Sequence, residues 1–137
     1  MNGNIVISDS DINHVLTYNI DEHPDGSKPK YYDAVIAFSQ GCLAANLLIA
    51  SNIISTSKLL LFSPIPAPVS WKYIIKDNTV QADVYVGEND DLVTPEQSLL
   101  FISMLGLNDI KIIKHRWGHV IPTSKEYKIL YHEFLNK

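Results

Sequence analysis

Four short apolar runs, with helix-like spacing between them, constrain this chain more than any other feature. They are AVIAF at 34–38, LLLF at 59–62, ADVYV at 82–86 and IKII at 110–113. Three are continuous or nearly so, as expected of strands buried on both faces. Residues 42–51 are short and apolar nearly all round. Residues 95–105 open with Thr94 as an N-cap, Pro95 at the first helical position and Glu96 in the first turn, and Gly106 follows the last turn. Residues 124–135 read as a closing helix with Ile129, Leu130, Phe134 and Leu135 inward. Strand and helix in alternation imply an α/β fold, a three-layer sandwich with a mostly parallel sheet. NIVIS at 4–8 reads as one more strand. Residues 9–21 are compatible with a helix whose Ile12, Val15 and Leu16 face inward. The three prolines within residues 62–68 require a loop, since proline serves neither a helix interior nor a central strand. Residues 24–26, PDG, signal a turn.

A chain of 137 residues suggests one domain, 1–137, and 46% hydrophobic residues is a globular share. The net charge of -4 comes without a block of like charges, so a nucleic-acid-binding face is not expected. The single cysteine, Cys42, has no partner for an internal disulfide and reads as a small buried residue in a reducing compartment. No apolar run has the length of a membrane span, and the N-terminus lacks the pattern of a secretory leader. A cytoplasmic location follows as the expectation. The five histidines show no metal-ligand spacing and there is no glycine-rich phosphate loop. Neither a metal nor another cofactor is expected, and a nucleotide-binding module is set aside.

AFSQG at 37–41 interrupts an apolar stretch where a strand should hand over to a helix. A serine there can be a plain helix N-cap. It can also be a nucleophile elbow, G-x-S-x-G, whose tight turn lifts the hydroxyl above the sheet and whose next backbone N–H helps hold an oxyanion. Ala37 stands in place of the first glycine, Ser39 is the candidate nucleophile and Gly41 is present. A serine nucleophile needs a base, and the base needs an orienting acid. Asp90 lies on the loop after the third run, and His119 follows a glycine on the loop after the fourth. Asp91 competes for the role of acid and His115 for that of base. Glu88 and Asp83 are weaker acids for the role, one read as solvated and the other as within a strand. His14, His23 and His132 read as surface residues, and Cys42 as packing.

The three boxes AFSQG at 37–41, GENDDLVTPEQS at 87–98 and HRWGHVIP at 115–122 resemble the FSH family of serine hydrolases, within the α/β-hydrolases. The lead-in KYYDAVI at 30–36 is similar to that family's too. The resemblance runs from about Asp11 to the C-terminus. It implies Ser39 as nucleophile, Asp90 as acid, His119 as base, and the backbone N–H of Gln40 as one oxyanion donor. It also implies an α/β-hydrolase fold that is shortened at its N-terminus. The family's first strand ends in a His-Gly motif whose loop gives the second oxyanion donor, and Ser8-Asp9-Ser10 is not that loop. Without that strand, the strand carrying Ser39 would have an unpaired edge, open to self-association. The expected function is hydrolysis of a small carboxylic ester or thioester through an acyl-enzyme. Ile65, Pro66 and Trp71, with Pro68 and Val69, would line an acyl pocket or cover the core. The alternative is a truncated, catalytically inert hydrolase-like domain kept for interaction, or a gene fragment.

Overall fold

The computed structural model describes residues 4–7, 28–66 and 79–137, the first of these as backbone alone. Seven strands are present among them: β1 (Asn4–Ile7), β2 (Lys30–Tyr32), β3 (Ala34–Phe38), β4 (Ile54–Thr56), β5 (Lys58–Phe62), β6 (Gln81–Gly87) and β7 (Asp109–His115). Three helices accompany them: α1 (Gly41–Ala50), α2 (Pro95–Met104) and α3 (Lys125–Leu135). The main sheet has the order β1-β3-β5-β6-β7 and every pairing in it is parallel. All its strands therefore end on one edge, and Ser39, Asp90 and His119 each lie close after one of those ends.

The parallel sheet follows from the sequence pattern. In β3, Val35 and Ala37 face one core while Ile36 and Phe38 face the other. In β5, Leu59 and Leu61 divide from Leu60 and Phe62 in the same way. A strand with two buried faces cannot alternate with polar residues, hence the continuous runs. One face carries an aliphatic core with α1 and with Phe101, Ile102 and Leu105 of the α2 region. The other carries an aromatic core of Phe62, Tyr85 and Phe134 with Tyr127, Tyr131 and Leu135. Sheet and helices thus form three layers.

The α2 start is capped as its sequence suggests. The Thr94 N–H donates to Gln97 Oε1 (2.9 Å) and the Gln97 N–H to Thr94 Oγ1 (3.3 Å), a reciprocal capping box. Gly106, at φ 72°, takes the left-handed position that ends the segment.

Two expectations need correction, and one pairing was not foreseen. Ile129 is exposed, and the inward face of α3 is Tyr127, Tyr131, Phe134 and Leu135. Those positions follow the i, i+4, i+7, i+8 stripe, with tyrosines in place of aliphatic residues. The edge expected to be open beside Ser39's strand is closed, because β1 pairs with β3 from Asn4↔Ala34 to Ile7↔Ala37. β1 supplies the ladder to Ser39's strand and is itself the outer strand of the sheet, so the edge lies at β1. Finally, β2 and β4 pair in parallel at the same register as β3 and β5, so they prolong that ladder beyond Asp33 and Ser57. The expected helix at 9–21, the turn at 24–26, the Ser8-Asp9-Ser10 segment and residues 67–78 lie outside the described residues.

Candidate active site

β3 ends at Phe38 and Ser39 follows with φ 58°, a left-handed backbone that a serine adopts only where its surroundings hold it. The Ser39 N–H donates to Phe62 O (2.8 Å) on β5, which fixes the turn against the sheet. The Cys42 N–H donates to Ser39 O (3.1 Å), so α1 begins at once. Gln40 is its N-cap and uses no side chain to cap it. Ala37 is fully buried in the aliphatic core, so its methyl group is accommodated where the motif has glycine.

Gly87 ends β6 and the chain turns to Asp90. A Cβ at Gly87 would sit 2.5 Å from Gly118 O and 2.7 Å from Trp117 O, so only glycine allows the two loops to meet. The loops are then tied together. The Glu88 N–H donates to His115 O (2.8 Å), the Asn89 N–H to Trp117 O (3.2 Å), and Asn89 Nδ2 to Arg116 O.

Asp90 is buried, at 3% exposure. Its Oδ1 accepts from the N–H groups of Leu92 (2.9 Å) and Val93 (2.8 Å), and its Oδ2 lies 2.7 Å from His119 Nδ1. Burial alone would raise its carboxyl, but the Val93 N–H, His119 and the Leu92 N–H outweigh it and hold the group below the ordinary value. His119 Nε2 lies 3.1 Å from Ser39 Oγ. One imidazole thus bridges a left-handed serine and an ionised carboxylate. With Nδ1–H donated to Asp90, Nε2 is left free to accept the serine proton. The Phe38 ring packs on the imidazole, with centroids 4.7 Å apart and planes at 42°. Sequence reasoning missed Phe38, since it occupies an unrestricted position of the motif.

The rival residues are placed elsewhere. His115 is buried at 2% exposure, and its Nδ1 accepts the Trp117 N–H at 3.2 Å. Burial lowers its pKa, with Asp90 and Glu88 opposing. Asp91 and Glu88 are exposed. Asp83 lies within β6, raised by burial against the pull of Lys137 and Lys111. Cys42 is fully buried with its Sγ 3.7 Å from Phe62 O, and burial pushes the thiol far above its ordinary value. It is no nucleophile in that state. His132 is exposed on α3, and His14 and His23 lie outside the described residues. Ile65 packs on the aliphatic core, Pro66 is half-buried, and Trp71 lies outside the described residues. Among the described residues no helix is long and apolar enough to cross a membrane.

Comparison with known proteins bears on the fold and the family. No match is found among the curated proteins. An esterase of Pyrococcus furiosus superposes with a TM-score of 0.58 at 18% identity, over 95% of this chain and 62% of that one. A carboxylesterase of Bacillus cereus superposes with a TM-score of 0.57 at 14% identity, over 77% of this chain and 49% of that one. The chain therefore spans about half to three fifths of the length of these structures. At such identities the likeness concerns the fold, which is that of the α/β-hydrolases. The family described as Serine hydrolase (FSH1) matches residues 8–130. That match takes in the elbow at 37–41 and both loops that meet above it, and on that extent the chain belongs to the serine hydrolase (FSH1) family.

Proposed function

We propose that this protein hydrolyses carboxylic esters or thioesters through Ser39, His119 and Asp90. One observation carries the reading: the unbroken relay from Ser39 Oγ to His119 Nε2 (3.1 Å) and from His119 Nδ1 to Asp90 Oδ2 (2.7 Å). Ser39 Oγ attacks the acyl carbon while His119 Nε2 takes its proton. The charge that develops on the carbonyl oxygen meets the Gln40 N–H at the start of α1, where the helix dipole adds to it. The bond to the leaving oxygen or sulfur then breaks, and His119 returns the proton to that atom. Water, activated by the same imidazole, releases the acid from the acyl-enzyme. Asp90 fixes the tautomer and balances the imidazolium. Ile65 and Pro66 follow β5 on the same edge and would border the acyl chain. The lone, buried Cys42 accords with a reducing cytoplasm.

The test is labelling of the 137-residue protein with a fluorophosphonate, read by intact mass. A single adduct is expected, absent in Ser39→Ala. A folded sample that takes no label would favour the inert-domain reading instead.

A further inference from the structure

His115 stands where β7 ends and the two site loops meet. It pairs with Gly87, the end of β6, and is buried. Its O accepts the Glu88 N–H (2.8 Å), and its Cε1 lies 2.9 Å from the point that a Cβ on Gly87 would take, beside Gly118 O and Trp117 O. The ring packs against Trp117 (5.8 Å between centroids, planes at 38°) and against Tyr127 of α3 (6.4 Å, 82°). Among the described residues its side chain makes one polar contact: Nδ1 accepts the Trp117 N–H at 3.2 Å. An accepting Nδ1 carries no proton, so the hydrogen of the neutral ring sits on Nε2, which is buried without a partner among the described residues. An unpaired buried N–H costs stability that an apolar side chain of like size does not. The contact at Nδ1 is what such a side chain could not supply.

That contact is one member of a clamp. Trp117 is held on both sides of its Cα, its N–H by His115 Nδ1 and its O by the Asn89 N–H at 3.2 Å. Asn89 Nδ2 also donates to Arg116 O, and the Asp90 N–H to Gly87 O (3.2 Å). The turn from His115 to Gly118 is therefore fixed to the residues that deliver Asp90, and Asp90 Oδ2 in turn lies 2.7 Å from His119 Nδ1. Without an acceptor at Nδ1 the Trp117 N–H is released, in the turn whose far end carries the imidazole that lies 3.1 Å from Ser39 Oγ.

We infer that His115 is a positioning residue: its unprotonated Nδ1 holds the Trp117 turn that sets the His119 imidazole between Asp90 and Ser39. The inference rests on the hydrolase reading of Ser39 and His119. It has a consequence in acid, because a protonated His115 offers two N–H donors and no acceptor. Burial opposes that charge, and Glu88 and Asp90 on the loop after β6 favour it less strongly, so the His115 pKa lies below the ordinary value. Tyr127 faces the ring from α3, Gly87 beside it on β6 bears no charge, and Lys114 and Arg116 flank it along the chain with exposed side chains. Proton uptake by His115 should therefore loosen the turn only below the ordinary imidazole value of about 6.5.

Two measurements test it. The first is the rate of fluorophosphonate labelling at neutral pH. His115→Leu fills the space without an acceptor and should slow labelling about 100-fold, the order expected of a displacement of about 1 Å. His115→Asn places Oδ1 where Nδ1 was and should recover most of the parent rate. Packing alone predicts the reverse order, since leucine fills the space and asparagine leaves part of it empty, and that order would overturn the inference. The second reads the turn without any reaction, by tryptophan emission in a Trp71→Phe background, where Trp117 is the sole tryptophan. As pH falls below about 6.5, emission of the parent should move towards that of His115→Leu, and His115→Asn should not follow. Emission that is alike in all three at neutral pH, or the same titration in His115→Asn, also overturns it. If the parent takes no label, the hydrolase reading falls and the positioning role with it, while Trp117 emission still shows whether His115 holds the turn.

Discussion

Ser39 and Ser63 end neighbouring strands at the same level of the sheet, since Phe38 pairs with Phe62. Both take the left-handed backbone, at φ 58° and φ 46°. Each gives its N–H to the next strand over, Ser39 to Phe62 O and Ser63 to Tyr85 O, at 2.8 Å in both cases. There the likeness stops. Ser39 Oγ meets His119, whereas Ser63 Oγ is buried with no hydrogen-bond partner among the described residues. A sharp turn at the end of a buried strand is therefore not enough to bring an imidazole to a serine. The difference comes from the loops after β6 and β7, which bring the His119 imidazole to one serine and not to the other.

The sharpest way to break this contrast is the adduct itself. Labelling should fall at Ser39 alone, with Ser39→Ala losing it completely and no transfer to Ser63. An adduct on Ser63 would show that elbow geometry suffices. Next in size is Asp90→Asn. It keeps the shape but favours the wrong imidazole tautomer, and labelling should slow by about 10⁴-fold. The same change should alter acid stability. The Asp90 carboxyl is held below its ordinary value in the fold. It contributes stability above the ordinary pKa of about 3.9, and that stability is lost as pH falls through the lower folded value. Asp90→Asn should be less stable at neutral pH and flatter on the acid side in thermal melts.

Gly87→Ala is smaller but more telling. The new Cβ would meet two backbone oxygens of the His119 loop, at 2.5 Å and 2.7 Å, and backbone cannot swing aside as a side chain can. The loop must shift and His119 moves relative to Ser39. A misplacement of about 1 Å costs about 100-fold, so labelling should slow by that order while Ser39, His119 and Asp90 all remain. If labelling is unchanged, the packing of the two loops is not what sets the base over Ser39.

The site was legible in the sequence to the extent that its residues sit at chain positions fixed by strand ends. Ser39 and Asp90 fall close after buried strands and His119 close after the outer strand β7, and buried runs are the plainest pattern a parallel sheet writes. The features that were not legible depend on what lies across the fold. Phe38 belongs to its strand by sequence, and only the approach of the β7 loop makes it a wall for His119. The tyrosine face of α3 was obscured because Tyr127 and Tyr131 count as polar until an aromatic core receives them. β2 and β4 are too short to announce themselves, and the register of the longer strands beside them supplies their pairing. A cavity lined by Trp117 and Ile121 depends on how the chain after β7 turns, which the apolar pattern does not encode.

Ser63→Gly gives the smallest effect and the cleanest one. A serine held left-handed carries strain of roughly 1–2 kcal/mol that glycine does not. Its buried, unpartnered hydroxyl adds a penalty of about 1–3 kcal/mol, which also disappears. Against these stand the lost packing of the side chain and the greater freedom of glycine in the unfolded chain, roughly 0.5–1 kcal/mol. The balance favours a gain of about 1 kcal/mol in chemical denaturation, with labelling at Ser39 within about twofold of the parent. At Ser39 the same substitution also relieves strain, but it removes a hydroxyl that His119 engages, and all labelling goes with it. A tenfold loss of labelling in Ser63→Gly would mean that the second serine supports the first, and the two strand ends would have to be read as one site.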